Sequence, residues 1–242
     1  MTNYSSKMLD FASIAISPKI DFKSYFPLPS NREAYEYFHR FSNVFLTTTL
    51  PRLVVLKHQR GTGGSHLVKC YLSEVLRKQN LSVMYLSGGR FMEYLIAALR
   101  NNKMADFRER MRKQDIFVLD DLESAAGRRA TQEELIFTFE SLIENNSQII
   151  CISTCSPTNL KDFNDKLKNL LLSFAVLEIK RPTYPERVEL ARFGASQMNL
   201  ELENEEMRDI AKKSTKSIHQ LVCFLQQVKM KRELGIECSF PI

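Results

Sequence analysis

The stretch "LKHQRGTGGSHL", residues 56–67, decides the fold. It follows the apolar run Leu53 to Leu56 and leads into Leu67, Tyr71, Leu72, Val75 and Leu76, which recur at helical spacing. Strand, glycine-rich turn and helix, in that order, are the frame of a phosphate-binding loop. Against the pattern G-x4-G-K-[ST], Gln59 is taken as the first anchor, Gly63 as the second, Gly64 stands at the lysine and Ser65 at the metal-binding hydroxyl. Two of the four anchors survive. The backbone of Arg60, Gly61, Thr62, Gly63, Gly64, Ser65 and His66 still offers a nest of N–H groups at a helix N-terminus. The missing lysine removes charge-assisted hydrogen bonds worth about 1.5–3 kcal/mol each. On the loop alone, nucleotide binding stays open.

Working outward, 242 residues allow one generous domain, or a larger one with a small companion. A composition 44% apolar and 26% charged is globular, and no run approaches the roughly 18 apolar residues of a membrane span. The segment Phe11 to Ile16 is too short for a secretory signal. Five cysteines (Cys70, Cys151, Cys155, Cys223, Cys238) are odd in number, and Cys151-x3-Cys155 lacks a second pair for zinc. Cys70, Cys151 and Cys223 sit in apolar contexts and read as small core residues, which fits a reducing compartment. The net charge of +6 is scattered; it permits nucleic-acid contact without requiring it. The densest basic run, Lys229 to Arg232, ends a helix, where it complements the dipole.

Strands are expected at 53–56, 82–86, 116–119, 148–152 and 175–179, with helices between them. Three capping boxes are expected: Ser30 to Glu33, Thr131 to Glu134 and Thr183 to Glu186. After Arg181-Pro182 the pattern becomes helical only, at 185–198, 204–213 and 217–233. The expected organisation is an N-terminal tail (1–22), an α/β core with a mostly parallel sheet (23–181), a helical lid (182–235) and a C-terminal tail (236–242).

Asp120-Asp121 closes the strand Ile116 to Leu119. Ligands of open α/β sheets bind at the carboxyl ends of strands, and adjacent carboxylates there can hold Mg²⁺ and polarise water. The plainer alternative is the start of a turn. The glycine loop upstream tips the balance toward metal, with Ser65 and Asp120 as its ligands if nucleotide binds.

The run "NNKMADFRERMRKQDIFVLDDLESAAGRRATQEELIFTFESLIENNSQIICIST", residues 101–154, closely resembles the AAA+ domain of the bacterial replication initiator DnaA. The resemblance extends to "FKSYFPLPSNREAYEYF" upstream and "IKRPTYPERVELARFGASQMNLELENEEMRDIAKK" downstream, about residues 21–230. It implies a P-loop-type core of five parallel strands with a helical lid. DnaA adds an N-terminal helicase-loading domain and a C-terminal duplex-binding domain. The length here resembles instead the short regulatory DnaA relatives of the Hda type, whose loops carry a similar "GxGxSHL".

The same resemblance assigns the site. Gly64 falls on the Walker A lysine, Thr154 on the first sensor, Leu170 on the arginine finger and His219 on the second sensor. Asp120 and Asp121 alone keep the family's catalytic identity. An arginine finger is worth about 10³–10⁵ in rate, and the nearby Lys166 and Lys168 lack its planar fork. Hydrolysis is therefore not expected. Arg128 matches a family position for single-stranded DNA, against a plain solvated charge; Lys7 to Phe11 is the nearest segment to a sliding-clamp motif, without its Gln.

The resulting expectation is a DnaA-like protein of the bacterial cytoplasm. It would regulate initiation, negatively, by pairing head-to-tail with DnaA; a homo-oligomer is also open. Two alternatives stand beside it: a slow ATPase or ADP-retaining switch using ADP or ATP with Mg²⁺, and a single-stranded DNA accessory factor.

Overall fold

The computed structural model describes residues 20–45 and 49–236. The five apolar runs become β1 (Leu53–His58), β2 (Val83–Ser87), β3 (Ile116–Asp120), β4 (Gln148–Ser153) and β5 (Ala175–Ile179). They pair in parallel, in the order β2-β3-β4-β1-β5. Parallel strands need crossovers, and the helices that supply them cover both faces. Alternation sorts the side chains. Val55, Phe117, Leu119, Ile149 and Cys151 join one buried cluster, while Val54, Leu56, Ile116, Val118, Ile150 and Ile152 join the other.

The first cluster is completed by α3 (Gly88–Arg100), α4 (Met104–Arg112), α5 (Arg129–Glu144) and α6 (Asp165–Leu172), through residues such as Phe91, Phe107, Phe139 and Leu167. The second is completed by α1 (Arg32–Val44) and α2 (Gly64–Lys78), through Phe38, Phe41, Leu67 and Tyr71. The lid is α7 (Tyr184–Gln197), α8 (Asn204–Lys213) and α9 (Ile218–Glu233), with its own apolar centre of Leu190, Ala191, Ile210, Leu221 and Leu225. Among the described residues no helix is long and apolar enough to cross a membrane.

Two details place the lid. Leu28, from the lead-in before α1, is buried in the lid's apolar centre, and Phe26 stacks on Phe193 at 4.8 Å between centroids. Glu186 takes the N–H of Ser30 at 2.7 Å while capping α7 through Thr183 N–H and Oγ1. Burial works to raise its carboxyl, but the bonds from Thr183 and Ser30 outweigh it and hold it below the usual range.

Of the three expected capping boxes, only Thr183–Glu186 forms. At α1 the cap position is Asn31, whose side chain instead accepts from Leu28 N–H and donates to Phe26 O. Helix α5 starts earlier, at Arg129, because Glu134 is drawn away by Arg108 and Arg112 at 3.0 and 2.7 Å. Between β4 and β5 the helix α6 starts only at Asp165, where the Asn164 side chain caps Leu167 N–H. Cys70 and Cys151 are buried as expected, but Cys223 is only partly so.

Candidate functional site

The strand order brings the chemistry-bearing ends together. The glycine loop follows β1, Asp120 ends β3, and Thr154 follows β4, which lies between them. The lid covers this carboxyl edge. The cavity between lid and core is about 550 Å³, within the range of small-molecule sites. Its walls include Tyr25, Phe26, Leu190, Phe193, Ile218 and Leu221, with His58, Gly61, Gly63, Gly64, Ser65, His66 and His219 from the loop and lid.

The loop departs from its expected reading at its first anchor. β1 runs through His58, and four residues separate His58, not Gln59, from Gly63 in a five-residue step. The first-glycine position therefore holds His58. Its ring lies against Gly64: a Cβ added at Gly64 would stand 2.6 Å from His58 Cγ and 2.8 Å from Cδ2. The space a side chain at position 64 would enter is thus closed by the His58 imidazole. The ring is held there by Nδ1 at 2.9 Å from Gln59 O and 3.4 Å from Thr62 Oγ1. Thr62 is buried, and its hydroxyl donates to Gln59 O at 2.7 Å, closing the turn on itself.

Gly61 and Gly63 take φ of +80° and +92°, the left-handed region open to glycine. At Gly61 a side chain would also strike Ser217, the N-cap of α9. The Gly61 carbonyl accepts the N–H of Ile218 at 2.7 Å. The lid helix therefore seats on the loop through direct protein contact. His219, one residue on, is exposed and lines the cavity, 3.6 Å from Cys223. His66 lines the cavity near the lead-in, with Nε2 at 3.3 Å from Ser24 Oγ and 3.7 Å from Cys70 Sγ. Burial lowers the His66 pKa and pushes the Cys70 thiol up to about 11.

At the acidic end, Asp120 accepts Asp121 N–H at 2.9 Å and the Tyr85 hydroxyl at 2.5 Å. Ser65 lies near enough to the same phenol to work against its rise in pKa, so Tyr85 stands close to both groups expected to share a metal. Burial, then the Asp120 charge, raises the Tyr85 pKa, and the phenol stays a donor. Asp121, at φ +55°, holds the Ser124 hydroxyl and a long contact of 3.4 Å to exposed Arg60. Among the described residues no cluster of three His, Cys, Asp or Glu side chains is placed to hold a metal.

Thr154 is bound rather than free. Its N–H and hydroxyl both donate to Glu123 Oε1, which also takes Ser153 Oγ at 2.8 Å. Burial acts to raise the Glu123 carboxyl, but these bonds prevail and lower it. Leu170 packs partly buried against the larger core cluster, while Leu172 and Phe137 are exposed. Lys166 pairs with Glu140 at 2.8 Å and lies over the Phe137 ring; Lys168 is partly exposed on the same helix. Arg128 is exposed, its Nε on Ser124 O at 3.1 Å. The segment Lys7 to Phe11 lies outside the described residues. His58, Tyr85, Glu123 and Tyr25 were not singled out from sequence; counting back from Gly63 was the one signal available, and it points to His58.

With this geometry in place, comparison with known proteins is specific. The family described as the bacterial DnaA ATPase domain matches residues 16–176. The chromosomal replication initiator DnaA of Rickettsia bellii (strain OSU 85-389) is 31% identical over 170 residues, 69% of this chain and 36% of that protein. The chain thus matches about a third of that relative's length. Domain III of the Thermotoga maritima initiator DnaA superposes with a TM-score of 0.81 at 25% identity, covering 92% of each chain. A DnaA initiator bound to AMPPCP and single-stranded DNA superposes with a TM-score of 0.82 at 23% identity, over 91% of this chain and 67% of that one.

Proposed function

This chain belongs to the bacterial DnaA ATPase-domain family, and from that membership we propose that it is a regulator of chromosomal replication initiation that works by contact with DnaA rather than by hydrolysis. The observation that carries this reading is the combination of an intact fold with a refilled site. His58 lies over Gly64, Tyr85 is bonded to Asp120, and Glu123 engages Thr154. As arranged, these residues do not fit a Mg²⁺–triphosphate group. The lysine position is closed, no acidic residue stands at 154 and no arginine at 170 or 219, and Asp120 is engaged on both oxygens.

A fold kept without its chemistry is suited to binding. AAA+ neighbours join head-to-tail, and a related chain can occupy one place in such a row. The exposed Phe137 and Leu172, with Lys166 and Lys168 beside the former arginine-finger position, are the surface we assign to that contact. The regulation is read as negative and its place as the bacterial cytoplasm, with the Hda-type proteins as the nearest functional analogy. The test is affinity capture with purified DnaA, together with the fraction of DnaA holding ATP. Absence of both capture and any change in that fraction ends this reading.

A second reading has one observation in its favour. Arg128 is exposed in the loop after Asp121, and the superposed initiator that was solved with single-stranded DNA shares this fold. Binding of single strands through Arg128 would weaken steeply with salt. Undetectable or salt-independent binding removes it.

A further inference from the structure

We propose that the free edge of β2 is a strand-docking surface, and that its occupant is this chain's own segment Phe11-Ala-Ser-Ile-Ala-Ile16, added as an antiparallel sixth strand. The pairing does not depend on the regulator reading.

The two edges of the sheet differ. β5 carries Glu178, paired with Lys57 at 2.8 Å, and just past its end Lys180 N–H donates to Ser30 O of the lead-in at 2.9 Å. A charge on the strand and a covering segment both blunt an edge against pairing. β2 has neither. Its sequence, Val83-Met-Tyr-Leu-Ser87, holds no charge and no proline, and among the described residues its ladder is with β3 alone. Val83, Met84 and Tyr85 are half-buried. Lys69 of α2 lies 5.7 Å over the Tyr85 ring, and Leu76, seven residues on, shares that helix face and is 41% exposed. A row of backbone donors and acceptors beneath an apolar wall is the surface that strand addition uses.

The occupant follows from the tether and the pattern. Residues 11–16 precede the described chain, which starts at Ile20. Asp21 and Phe22 share a recess with Glu74, Arg77 and Lys78, so the chain enters against the C-terminal half of α2. Helix α2 runs back from the glycine loop, which sets that half at the end of the sheet where β2 begins. A helix is about 10 Å across. The four steps from Ile16 to Ile20 reach about 13 Å, enough to cross α2 from the recess to Leu76 and Val83. Phe11 to Ile16 is a short, nearly continuous apolar run closed by Ser17-Pro18, the pattern of a strand covered on both faces. Entering from this end, it runs antiparallel to β2, as edge strands of otherwise parallel sheets commonly do. With Ile16 beside Val83, Ile14 falls beside Tyr85, and both stand on the face that α2 covers. Ala15 and Ser13 then fall on the other face, beside Met84 and Leu86.

Hydrogen exchange on the full chain reads the pairing. The amides of 83–87 are expected to exchange at least tenfold more slowly in the parent than in Ile14→Asp with Ile16→Asp, while those of β5 exchange alike in both. A chain lacking residues 1–16 should match the double variant, and a synthetic peptide of residues 8–18 added to it should restore slow exchange at 83–87. Unchanged rates in β4, at the centre of the sheet, show that each variant is folded. Should the shortened chain fail that check, the full-length double variant still decides. Equal exchange of 83–87 in the parent and the double variant overturns the proposal. So does protection that rises with protein concentration, because a second copy would then be the occupant.

Discussion

On the loop wall of the cleft, the His58 ring fills the space over Gly64; on the acidic wall, Asp120 and Asp121 are carboxylates already taken up by hydrogen bonds from Tyr85, Ser124 and their own backbone. Gln59 and Gly64 read as two losses in the sequence, yet in space the first anchor is His58, and it forms one packing arrangement with Gly64. Asp120 reads as a survivor, yet Tyr85 and its own chain occupy both its oxygens. A retained catalytic residue type is thus no measure of a retained site. What matters is which hydrogen bonds remain for a ligand to make.

The largest test of the closed wall is Gly61→Ala. It adds a Cβ against Ser217 at a left-handed φ of +80°, so strain and overpacking combine. A loss of about 2–4 kcal/mol in denaturant unfolding is expected. A loss under 0.5 kcal/mol would mean that lid and loop are not in firm contact. Next is Gly64→Ala, expected to cost about 1–3 kcal/mol through the His58 ring. Adding His58→Gly should return most of it, and a double-mutant cycle reads that coupling directly. Strict additivity would break the pairing described for this wall.

On the acidic wall, Tyr85→Phe should cost about 1 kcal/mol, since it leaves Asp120 short of a donor in a half-buried place. Equal stability of the variant would return Asp120 to the status of an unengaged carboxylate. The smallest effect concerns Glu186, which joins the lid's first helix to Ser30. Its folded pKa lies below its unfolded value, so its contribution is present above the unfolded value of about 4.3 and is lost as pH falls through the folded one. Thermal melts from pH 7 to pH 3 should show a shallower acid decline in Glu186→Gln than in the parent. Parallel curves would contradict this.

Much of the frame was legible because periodicity and strand length report burial directly. All five strands were located, and α8 was placed at its observed bounds, since Ile210 and Ala211 interrupt an otherwise charged segment. Local signals failed where a distant side chain competed for the same group. Ser30 and Glu33 have capping-box spacing, but Asn31 turned back to Leu28 and Ser30 gave its N–H to Glu186, 156 residues away. Glu134 likewise left Thr131 for two arginines of α4. At the site the limit is sharper. Tyr85 reaches Asp120 only because β2 and β3 pair in a register that sets Leu86 beside Leu119. No spacing within the chain announces that. Thr154, read by position, turned out to be defined by Glu123, thirty-one residues earlier and on another element.

The bond from Ile218 N–H to Gly61 O carries a consequence for signalling. A two-state switch needs a removable part between its moving halves, so that the presence of that part can be read from outside. Here part of the joint is made from the chain's own backbone, so the seat of α9 on the loop does not depend wholly on what lies in the cavity beside it.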